Sequence, residues 1–311
     1  MVKILPQTVS IFVLFVGGII LNKICLGTAQ IGQYYGVNNA LGRKPNYEES
    51  FQILTSAINC GINFFDTAGV YGDAENILGK FNISNFSVNV VSKLKGNLPN
   101  DADAVLNEIK TSLKNLVLKS LNGYLLHDAK DFYRSEILNG LKLAKENGLT
   151  KNIGVSIYEP EDALNVVKDK NIDYIQIPYN VLDQRLDKTN FFELAEKNNV
   201  KVFARSVFLQ GLLLFYPNNL PNHLIKAKPY IEKFQSIAAR YNFTPAEAAF
   251  LYSYCHSKID YILFGVETVQ QLENNIATVA KADNFKDCYA ELHGTFENVD
   301  REIIIPSLWK V

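Results

Sequence analysis

Three short segments of the chain each place ionisable side chains directly after an apolar run. Asp66 and Tyr71 lie in the segment FDTAGVYG. Lys93 follows in the segment VVSKL, and His127 follows in YLLHD. When strands and helices alternate along a chain, the carboxyl ends of the parallel strands converge on one face of the fold. We therefore expect these side chains to be neighbours in a candidate active site.

Together, these residue types could deliver a proton to an oxygen atom. An ammonium group beside a phenol favours the phenolate and lowers a pKa that is about 10 in isolation. Lys93 is therefore expected to make Tyr71 a general acid near neutral pH, while Asp66 keeps Lys93 charged and in place. His127 would orient a substrate carbonyl by hydrogen bonding to its oxygen. Such a set would protonate a carbonyl oxygen as a hydride arrives at the carbon.

The elements that would position these side chains follow a repeating pattern from Lys23 onward. Short β-rich runs alternate with amphipathic helical patterns, which is typical of βα units that form a parallel sheet. The predicted strands span 23–28, 62–67, 88–94, 123–127, 152–157, 174–180, 201–207 and 261–266. The predicted helices span 47–60, 102–116, 136–148, 160–170, 191–199 and 268–279.

This pattern favours an α/β fold in which the strands close into a (β/α)8 TIM barrel rather than an open sheet. No glycine-rich GxGxxG motif follows the first strand, which argues against a Rossmann domain. In the second predicted strand, Phe64 and Asp66 share a face because side chains alternate along a strand. The same alternation directs Lys93 and His127 into the barrel mouth. The long insertion at 208–260 holds two further helical patterns, which would cover part of the mouth or flank the barrel.

An apolar N-terminal extension at 1–22 precedes the single predicted barrel domain at 23–311. Its run VSIFVLFVGGIIL at 9–21 resembles the apolar part of a signal peptide or a short membrane anchor. The run is shorter than the roughly 20 apolar residues that a spanning helix needs, and no clear cleavage site follows it. The alternatives are a start site assigned too far upstream or a segment that plugs the barrel.

The charge and cysteine content exclude several other classes of protein. The net charge is −1 and basic residues are interspersed with acidic ones, so nucleic acid is not an expected partner. The 4 cysteines form no CxxC pair, and we expect no metal site. We predict a reduced, cytoplasmic protein that is a monomer or a weak oligomer. Membrane association through residues 9–21 is the alternative.

The chain resembles the aldo-keto reductase family from LGTA at 26–29 to VETVQQLENN at 266–275, and it carries that family's catalytic tetrad in order and spacing. The resemblance implies that Tyr71 is the proton donor, with Asp66 and Lys93 as its tuners. It implies that His127 orients the substrate. It also implies NADP(H) or NAD(H) as the source of hydride, without a metal.

Residues that would bind this cofactor follow from the same resemblance. Ser156 and Gln176 match the family's hydrogen bonds to the nicotinamide carboxamide. The loop that holds the pyrophosphate is matched by Ser206, Phe208, Gln210 and Gly211. The segment that wraps the adenosine is matched from Gly265 through Glu267 and Gln271 to Asn275, with Gln271 and Asn275 facing adenine.

Three positions depart from the family pattern. Ile157 stands where many members have Asn, which removes one hydrogen bond to the carboxamide. Arg205 replaces the aromatic residue that usually stacks on the nicotinamide, and its planar cation could stack instead or reach a substrate anion. A cation there would also disfavour the oxidised cofactor and bias the enzyme toward reduction.

Glu267 and Thr268 occupy a place where NADP-preferring relatives have basic residues. A carboxylate at this point would accept a hydrogen bond from a ribose 2′-hydroxyl and repel a 2′-phosphate, so both NADP(H) and NAD(H) remain candidates.

The expected function is the NAD(P)H-dependent reduction of a small aldehyde, ketone or sugar-derived carbonyl to an alcohol. Aromatic residues after the strands would form the wall of the substrate pocket: Tyr34, Tyr35, Tyr158, Phe208 and Trp309. One alternative is an NAD-dependent sugar or alcohol dehydrogenase that runs the reaction in the opposite direction. Another is a cofactor-binding regulatory subunit of a membrane partner.

Overall fold

The computed structural model describes residues 21–309. Apart from Leu21, the apolar run at 9–21 lies outside the described residues, so its proposed roles and the domain boundary at 22 stay predictions. Across residues 21–309, no helix combines the length and the apolar character that crossing a membrane requires.

Eight parallel strands close into a barrel in which each strand pairs with its neighbours in sequence and β8 pairs with β1. The strands are β1 (Ile24–Gly27), β2 (Phe64–Asp66), β3 (Asn89–Leu94), β4 (Leu121–Leu126), β5 (Thr150–Ser156), β6 (Tyr174–Pro178), β7 (Lys201–Arg205) and β8 (Tyr261–Gly265). All the predicted strands are confirmed, and so is the closed (β/α)8 barrel.

Helices cover the outside of the barrel. They are α1 (Ala29–Gly32), α2 (Tyr47–Asn59), α3 (Ala74–Lys80), α4 (Ala102–Leu116), α5 (Ser135–Glu146), α6 (Pro160–Val166), α7 (Phe191–Lys197), α8 (Lys228–Arg240), α9 (Pro245–Tyr254), α10 (Val269–Thr278), α11 (Lys286–Leu292) and α12 (Arg301–Ile304). The six helices predicted between strands and after β8 are present. The two helical patterns in the insertion at 208–260 form α8 and α9.

Local signals explain where several helices begin and end. Asn46 accepts a hydrogen bond from the Glu49 backbone N–H, and the Glu49 side chain accepts one from the Asn46 N–H, so a capping box starts α2. Thr244 and Glu247 start α9 in the same way. Gly61 follows Cys60, the C-terminal cap residue of α2, and has a φ of 87°, a left-handed conformation that favours glycine.

The short helix α3 was not predicted, although it packs closely against α4. It has only seven residues, too few for a helical period to stand out beside the preceding loop. Its own residues Ile77 and Leu78 are buried. A Cβ atom on Gly79 would lie 2.0 Å from the Asn115 carbonyl oxygen, so this contact between helices requires glycine.

Two apolar layers make up the core. The larger one lies between the strands and the helices. The inner apolar layer fills the barrel itself and consists of Cys25, Phe64, Val91, Leu125, Tyr174, Phe203 and Leu263. Because side chains alternate along a strand, the residue two positions further on points inward again, nearer the carboxyl end. The inner apolar layer therefore forms the floor of the barrel mouth.

Candidate active site

Residues above the inner apolar layer line the mouth of the barrel: seven follow a member of that layer by two positions, and Ser156 follows Gly154 of β5 by two positions. We call them the upper ring; they are Gly27, Asp66, Lys93, His127, Ser156, Gln176, Arg205 and Gly265. Gly27 and Gly265 are paired in register on β1 and β8, so that side of the ring has no side chains. Acidic, basic, amide and imidazole groups make up most of the remainder. The sequence-based expectation that these polar groups converge on one mouth agrees with this arrangement.

Lys93 connects the polar groups at the centre of the upper ring. Its Nζ lies 2.5 Å from the Asp66 Oδ2 and donates to the Thr67 carbonyl oxygen at 3.0 Å. The same ammonium group lies 3.3 Å from the Tyr71 hydroxyl oxygen. Asp66 and Lys93 are both 1% exposed, so the ion pair is shielded from water. Gln176 donates to the second carboxylate oxygen of Asp66 at 2.8 Å, which fixes the orientation of that carboxylate.

Tyr71 reaches this group from the loop that follows β2. The Thr67 N–H donates to the Val91 carbonyl at 2.8 Å and holds the loop against β3. Gly72 has a φ of 53°, and a Cβ atom there would lie 2.5 Å from the Gly32 carbonyl oxygen. A glycine after Tyr71 thus allows the loop to approach α1 closely. The phenol is thereby held over the barrel mouth.

Burial and charge act on the pKa of Tyr71 in opposite directions. Burial raises the pKa of this phenol, while Lys93 lowers it, and the net direction is upward. The expectation that Lys93 brings the pKa of Tyr71 below 10 is therefore wrong, because removal from water outweighs the nearby ammonium. Burial by itself lowers the pKa of Lys93, but Asp66 and Tyr71 raise it above its ordinary value. The phenol accordingly keeps its proton at neutral pH, and the amine stays charged.

His127 follows β4 and faces Tyr71 across the mouth. The two ring centroids lie 5.6 Å apart at an interplanar angle of 85°. Burial, together with the charges of Lys93 and Arg205, lowers the pKa of His127 from 6.5 to about 3. The imidazole is therefore neutral at neutral pH, with one N–H donor and one acceptor nitrogen. A neutral imidazole can donate a hydrogen bond to a carbonyl oxygen without giving up a proton.

A cavity of about 480 Å³ opens above the upper ring and extends along its rim. Tyr71, His127 and Arg205 line it at the centre. Of the aromatic residues expected in the pocket wall, Tyr35, Tyr158 and Phe208 line the cavity, whereas Tyr34 and Trp309 do not. A volume of this size is typical of a small-molecule binding site.

Two polar side chains beside the centre fit the carboxamide of a nicotinamide ring. The Gln176 Oε1 is buried and has no hydrogen-bond partner within residues 21–309. Ser156 on β5 is 3% exposed and also lines the cavity. A buried amide oxygen without a partner is costly, and an N–H donor from a ligand would satisfy it. These groups suit the dinucleotide implied by the sequence resemblance.

The loop after β7 curls at the rim of the cavity. Its φ angles are positive at Ser206 (62°), Leu209 (47°), Gln210 (55°) and Gly211 (91°). The Leu209 and Gly211 N–H groups donate to the Ser206 and Phe208 carbonyls, so the loop forms tight turns whose residues lie along the rim of the cavity. Phe208 lies within this run and faces the cavity with the other three predicted residues of the loop. The residues are thus placed where a pyrophosphate could be held.

The segment after β8 forms the far end of the cavity, which Gly265, Glu267, Gln271 and Asn275 all line. Glu267 is 7% exposed, and its Oε2 accepts a hydrogen bond from the Ala40 N–H at 2.9 Å. The Gln271 side chain bonds to both the backbone and the carboxylate of Glu267. No Lys or Arg lines this end of the cavity among the residues that the structure describes.

The sequence analysis assigned no cofactor-binding role to residues 36–40, which lie between α1 and α2 and contact both cofactor segments. The Val37 N–H donates to the Gln210 carbonyl at 3.0 Å, and Ala40 binds Glu267 as described above. Glycine at position 36 is the local sequence feature that indicates a tight turn here, and its φ is 93° in the structure. The contacts of residues 36–40 join positions more than 170 residues apart, so no local pattern could predict them.

Arg205 closes the upper ring on β7. Its guanidinium carbon lies 4.0 Å from the centroid of the Tyr158 ring. The guanidinium donates to the Ile157 carbonyl at 2.9 Å and to the Ser206 hydroxyl at 3.2 Å. These contacts fix the plane of the cation at the edge of the cavity.

Comparison with known proteins agrees with this site. The model of the Aldo/keto reductase family matches residues 23–290. The NADH-specific methylglyoxal reductase of Escherichia coli is 24% identical, over 84% of this chain and 90% of that protein. The oxidoreductase sirO of Leptosphaeria maculans is 23% identical, over 90% of this chain and 95% of that protein.

Solved structures show the same fold. An aldo-keto reductase from Bacillus halodurans in its holo form has a TM-score of 0.72 and 19% identity, and the match covers 91% of this chain and 95% of that one. The family model spans all eight strands and the whole upper ring. The chain therefore belongs to the aldo/keto reductase family and is an NAD(P)-dependent oxidoreductase of carbonyl compounds.

Proposed function

We propose that this enzyme reduces a small aldehyde, ketone or sugar-derived carbonyl to an alcohol, with Tyr71 as the proton donor. The observation that carries the proposal is the chain of contacts from Asp66 through Lys93 to the Tyr71 hydroxyl, at 2.5 Å and 3.3 Å. A buried ammonium beside the hydroxyl stabilises the phenolate that remains after the proton has left. The same groups could serve the reverse oxidation.

The proposed proton transfer uses only groups of the upper ring and Tyr71. When bound, the dinucleotide would supply a hydride, with its two electrons, to the carbonyl carbon. As that bond forms, the π electrons of the C=O bond move to the oxygen, which takes the proton of the Tyr71 hydroxyl. His127 donates a hydrogen bond to this oxygen and holds it near Tyr71. Bulk solvent later restores the proton to Tyr71.

Residues for the dinucleotide follow from the fit of the cavity. Ser156 and Gln176 would hold the carboxamide, since the Gln176 Oε1 has no partner within the described chain. The loop with Ser206, Phe208, Gln210 and Gly211 would hold the pyrophosphate. The segment from Gly265 to Asn275 would hold the adenosine.

Tyr71→Phe tests the proton-donor role because it removes only the hydroxyl. We expect the variant to bind NADH normally in a fluorescence titration but to lose carbonyl reduction by about 100-fold or more, the scale of general acid catalysis. Loss of NADH absorbance with a panel of carbonyls measures the rate. Tyr34→Phe is the matched control, because Tyr34 is 60% exposed and outside the cavity. Equal rates for wild type and Tyr71→Phe with every substrate would reject the role.

Glu267 leads us to propose that NADH binds more tightly than NADPH. A buried carboxylate at the adenosine end, where no Lys or Arg among residues 21–309 lines the cavity, would repel a 2′-phosphate. Glu267→Gln keeps an oxygen that can accept the Ala40 N–H while removing the charge. We expect the ratio of the Kd for NADPH to the Kd for NADH to fall by about tenfold, or about 1.4 kcal/mol.

Fluorescence titration with both dinucleotides measures that ratio. Glu273→Gln is the control, because Glu273 is exposed on α10, the helix that follows Glu267, and does not line the cavity. If wild type prefers NADPH, or if both variants leave the ratio unchanged, Glu267 does not set the preference.

A further inference from the structure

Arg205 differs from the other arginines in its lack of a carboxylate partner. The described residues 21–309 contain every arginine of the chain, and five of the six lie within 4.0 Å of an Asp or Glu oxygen: Arg43, Arg134, Arg185, Arg240 and Arg301. No Asp or Glu within residues 21–309 makes such a contact with Arg205. Its charge therefore has no close ion pair, although Asp183 lies within its electrostatic reach, and the side chain is half-buried at the cavity.

The guanidinium also retains unused hydrogen-bonding capacity. Of its five N–H donors, two have acceptors within residues 21–309, namely the Ile157 carbonyl and the Ser206 hydroxyl. Stacking on Tyr158 and the bond to the Ile157 carbonyl fix the plane of the group before any ligand arrives. A fixed, planar set of free donors loses little conformational entropy when it binds a partner.

Arg205 belongs to the upper ring with the reacting groups. It follows Phe203 of the inner apolar layer by two positions, so the alternation along β7 directs it into the mouth. Its charge contributes to the low pKa of His127 and opposes the rise in the pKa of Tyr71. The cation is therefore within electrostatic reach of both groups that would hold the substrate oxygen.

We propose that Arg205 binds an oxyanion of the substrate, so that the preferred substrates carry a carboxylate or a phosphate close to the carbonyl that is reduced. This proposal rests on the proposed carbonyl reduction and deepens it by naming a substrate class. A half-buried cation without an ion pair is best stabilised by a ligand that brings a negative charge. The guanidinium fork also matches two oxygens of a carboxylate or phosphate. His127 and Tyr71 would then hold one end of the substrate and Arg205 the other.

Matched substrate pairs test the proposal. The first pair is para-carboxybenzaldehyde and its methyl ester, which differ in a single negative charge. The second is phosphorylated glyceraldehyde and free glyceraldehyde. For Arg205→Gln, we expect the ratio of kcat/KM for the anionic member to kcat/KM for the neutral member to fall by roughly 10- to 100-fold, mostly through KM. Arg205→Lys should restore part of the ratio, because it keeps the charge but loses the fork.

The pair that responds identifies the oxyanion as carboxylate or phosphate. Arg240→Gln is the matched control, because this arginine is exposed on α8 and pairs with Glu291. An equal ratio in wild type, Arg205→Gln and Arg205→Lys for both pairs overturns the proposal. If the neutral substrates still require Tyr71 in that case, the proposed carbonyl reduction stands and only the anion site is wrong.

Binding without turnover gives a second readout. Terephthalate carries the carboxylate but no reducible carbonyl, and calorimetric titration into the NADH-saturated protein measures its affinity. We expect wild type and Arg240→Gln to bind it and Arg205→Gln to lose at least about tenfold in affinity. Equal affinity in all three proteins counts against the anion site. If Arg205→Gln instead weakens NADH binding and leaves the terephthalate affinity unchanged, the cation serves the cofactor and the proposal is rejected.

Discussion

Among single residues, burial sets the protonation states of the groups that would carry the chemistry. Tyr71 and His127 are both removed from water, and in each case burial favours the neutral form. Lys93 is the exception, because Asp66 lies 2.5 Å away and stabilises its charge. A neutral phenol, a neutral imidazole and a charged amine are the forms that proton donation to a carbonyl oxygen requires.

The low pKa of His127 predicts a dependence of stability on pH. Between about pH 6.5 and pH 3, the unfolded chain binds a proton on this imidazole and the folded chain does not, so stability falls as the pH falls. The size is up to about 1.4 kcal/mol per pH unit, or about 2 kcal/mol at pH 5. Urea unfolding at pH 7.5 and pH 5 should therefore show a larger loss for wild type than for His127→Asn. The exposed His223→Asn is the control, and equal losses in wild type and His127→Asn would contradict the prediction.

The identity of the polar site residues could be read from the sequence, but their energetics could not. Asp66, Lys93 and His127 each follow an apolar run, and strand alternation is enough to direct them inward. The direction of the pKa of Tyr71 depends on how much water the fold removes, which no spacing reveals. The lack of a close carboxylate partner for Arg205 within residues 21–309 likewise depends on the three-dimensional positions of all the Asp and Glu side chains, which the sequence does not give.

Among the elements, the strands were predictable and the short connecting elements were not. Each strand is a β-rich run bounded by polar or glycine positions, so it can be predicted from its own residues without knowledge of distant contacts. The helix α3 and the loop at 36–40 are held by contacts with distant parts of the chain. Gly36 and Asn38 of this loop line the cavity, whereas α3 packs against α1 and α4, and both depend on tertiary contacts rather than on local propensity.

The close contact of α3 with α4 predicts that Gly79→Ala destabilises the protein. The new methyl group would lie 2.0 Å from the Asn115 carbonyl oxygen, so the helices must separate. We expect a loss of about 1–3 kcal/mol from this overpacking, partly offset by the better helix propensity of alanine. Urea unfolding measures the change. Gly96→Ala is the control, since nothing lies within 4 Å of its added Cβ, and an unchanged stability for Gly79→Ala would refute the argument.

At the scale of the whole molecule, every strand and every cavity-lining residue within residues 21–309 lies between Ile24 and Ser307. The start of β1 is secured from within this range, because the Lys23 ammonium donates to the Tyr254 and His256 carbonyls at 2.6 Å and 2.7 Å. The closed barrel and this cavity lining therefore both lie within residues 21–309.

We predict that a chain lacking residues 1–20 binds NADH with the affinity of the full chain, because it keeps every cavity-lining residue that the structure describes. Fluorescence titration of both proteins measures this affinity, and a clear loss on truncation would contradict the prediction. Sedimentation of the two proteins with membrane vesicles tests the anchor hypothesis in the same samples. Binding by the full chain alone would support an anchor, and equal recovery in the supernatant would refute it.

The contacts of the loop at 36–40 have a consequence for how fast the enzyme can work. This loop is bonded on one side to Gln210, beside the pyrophosphate site, and on the other to Glu267, beside the adenosine site. We predict that the oxidised dinucleotide can dissociate only after these hydrogen bonds break. Turnover at saturating substrate would then be limited by nucleotide exchange rather than by the chemical step.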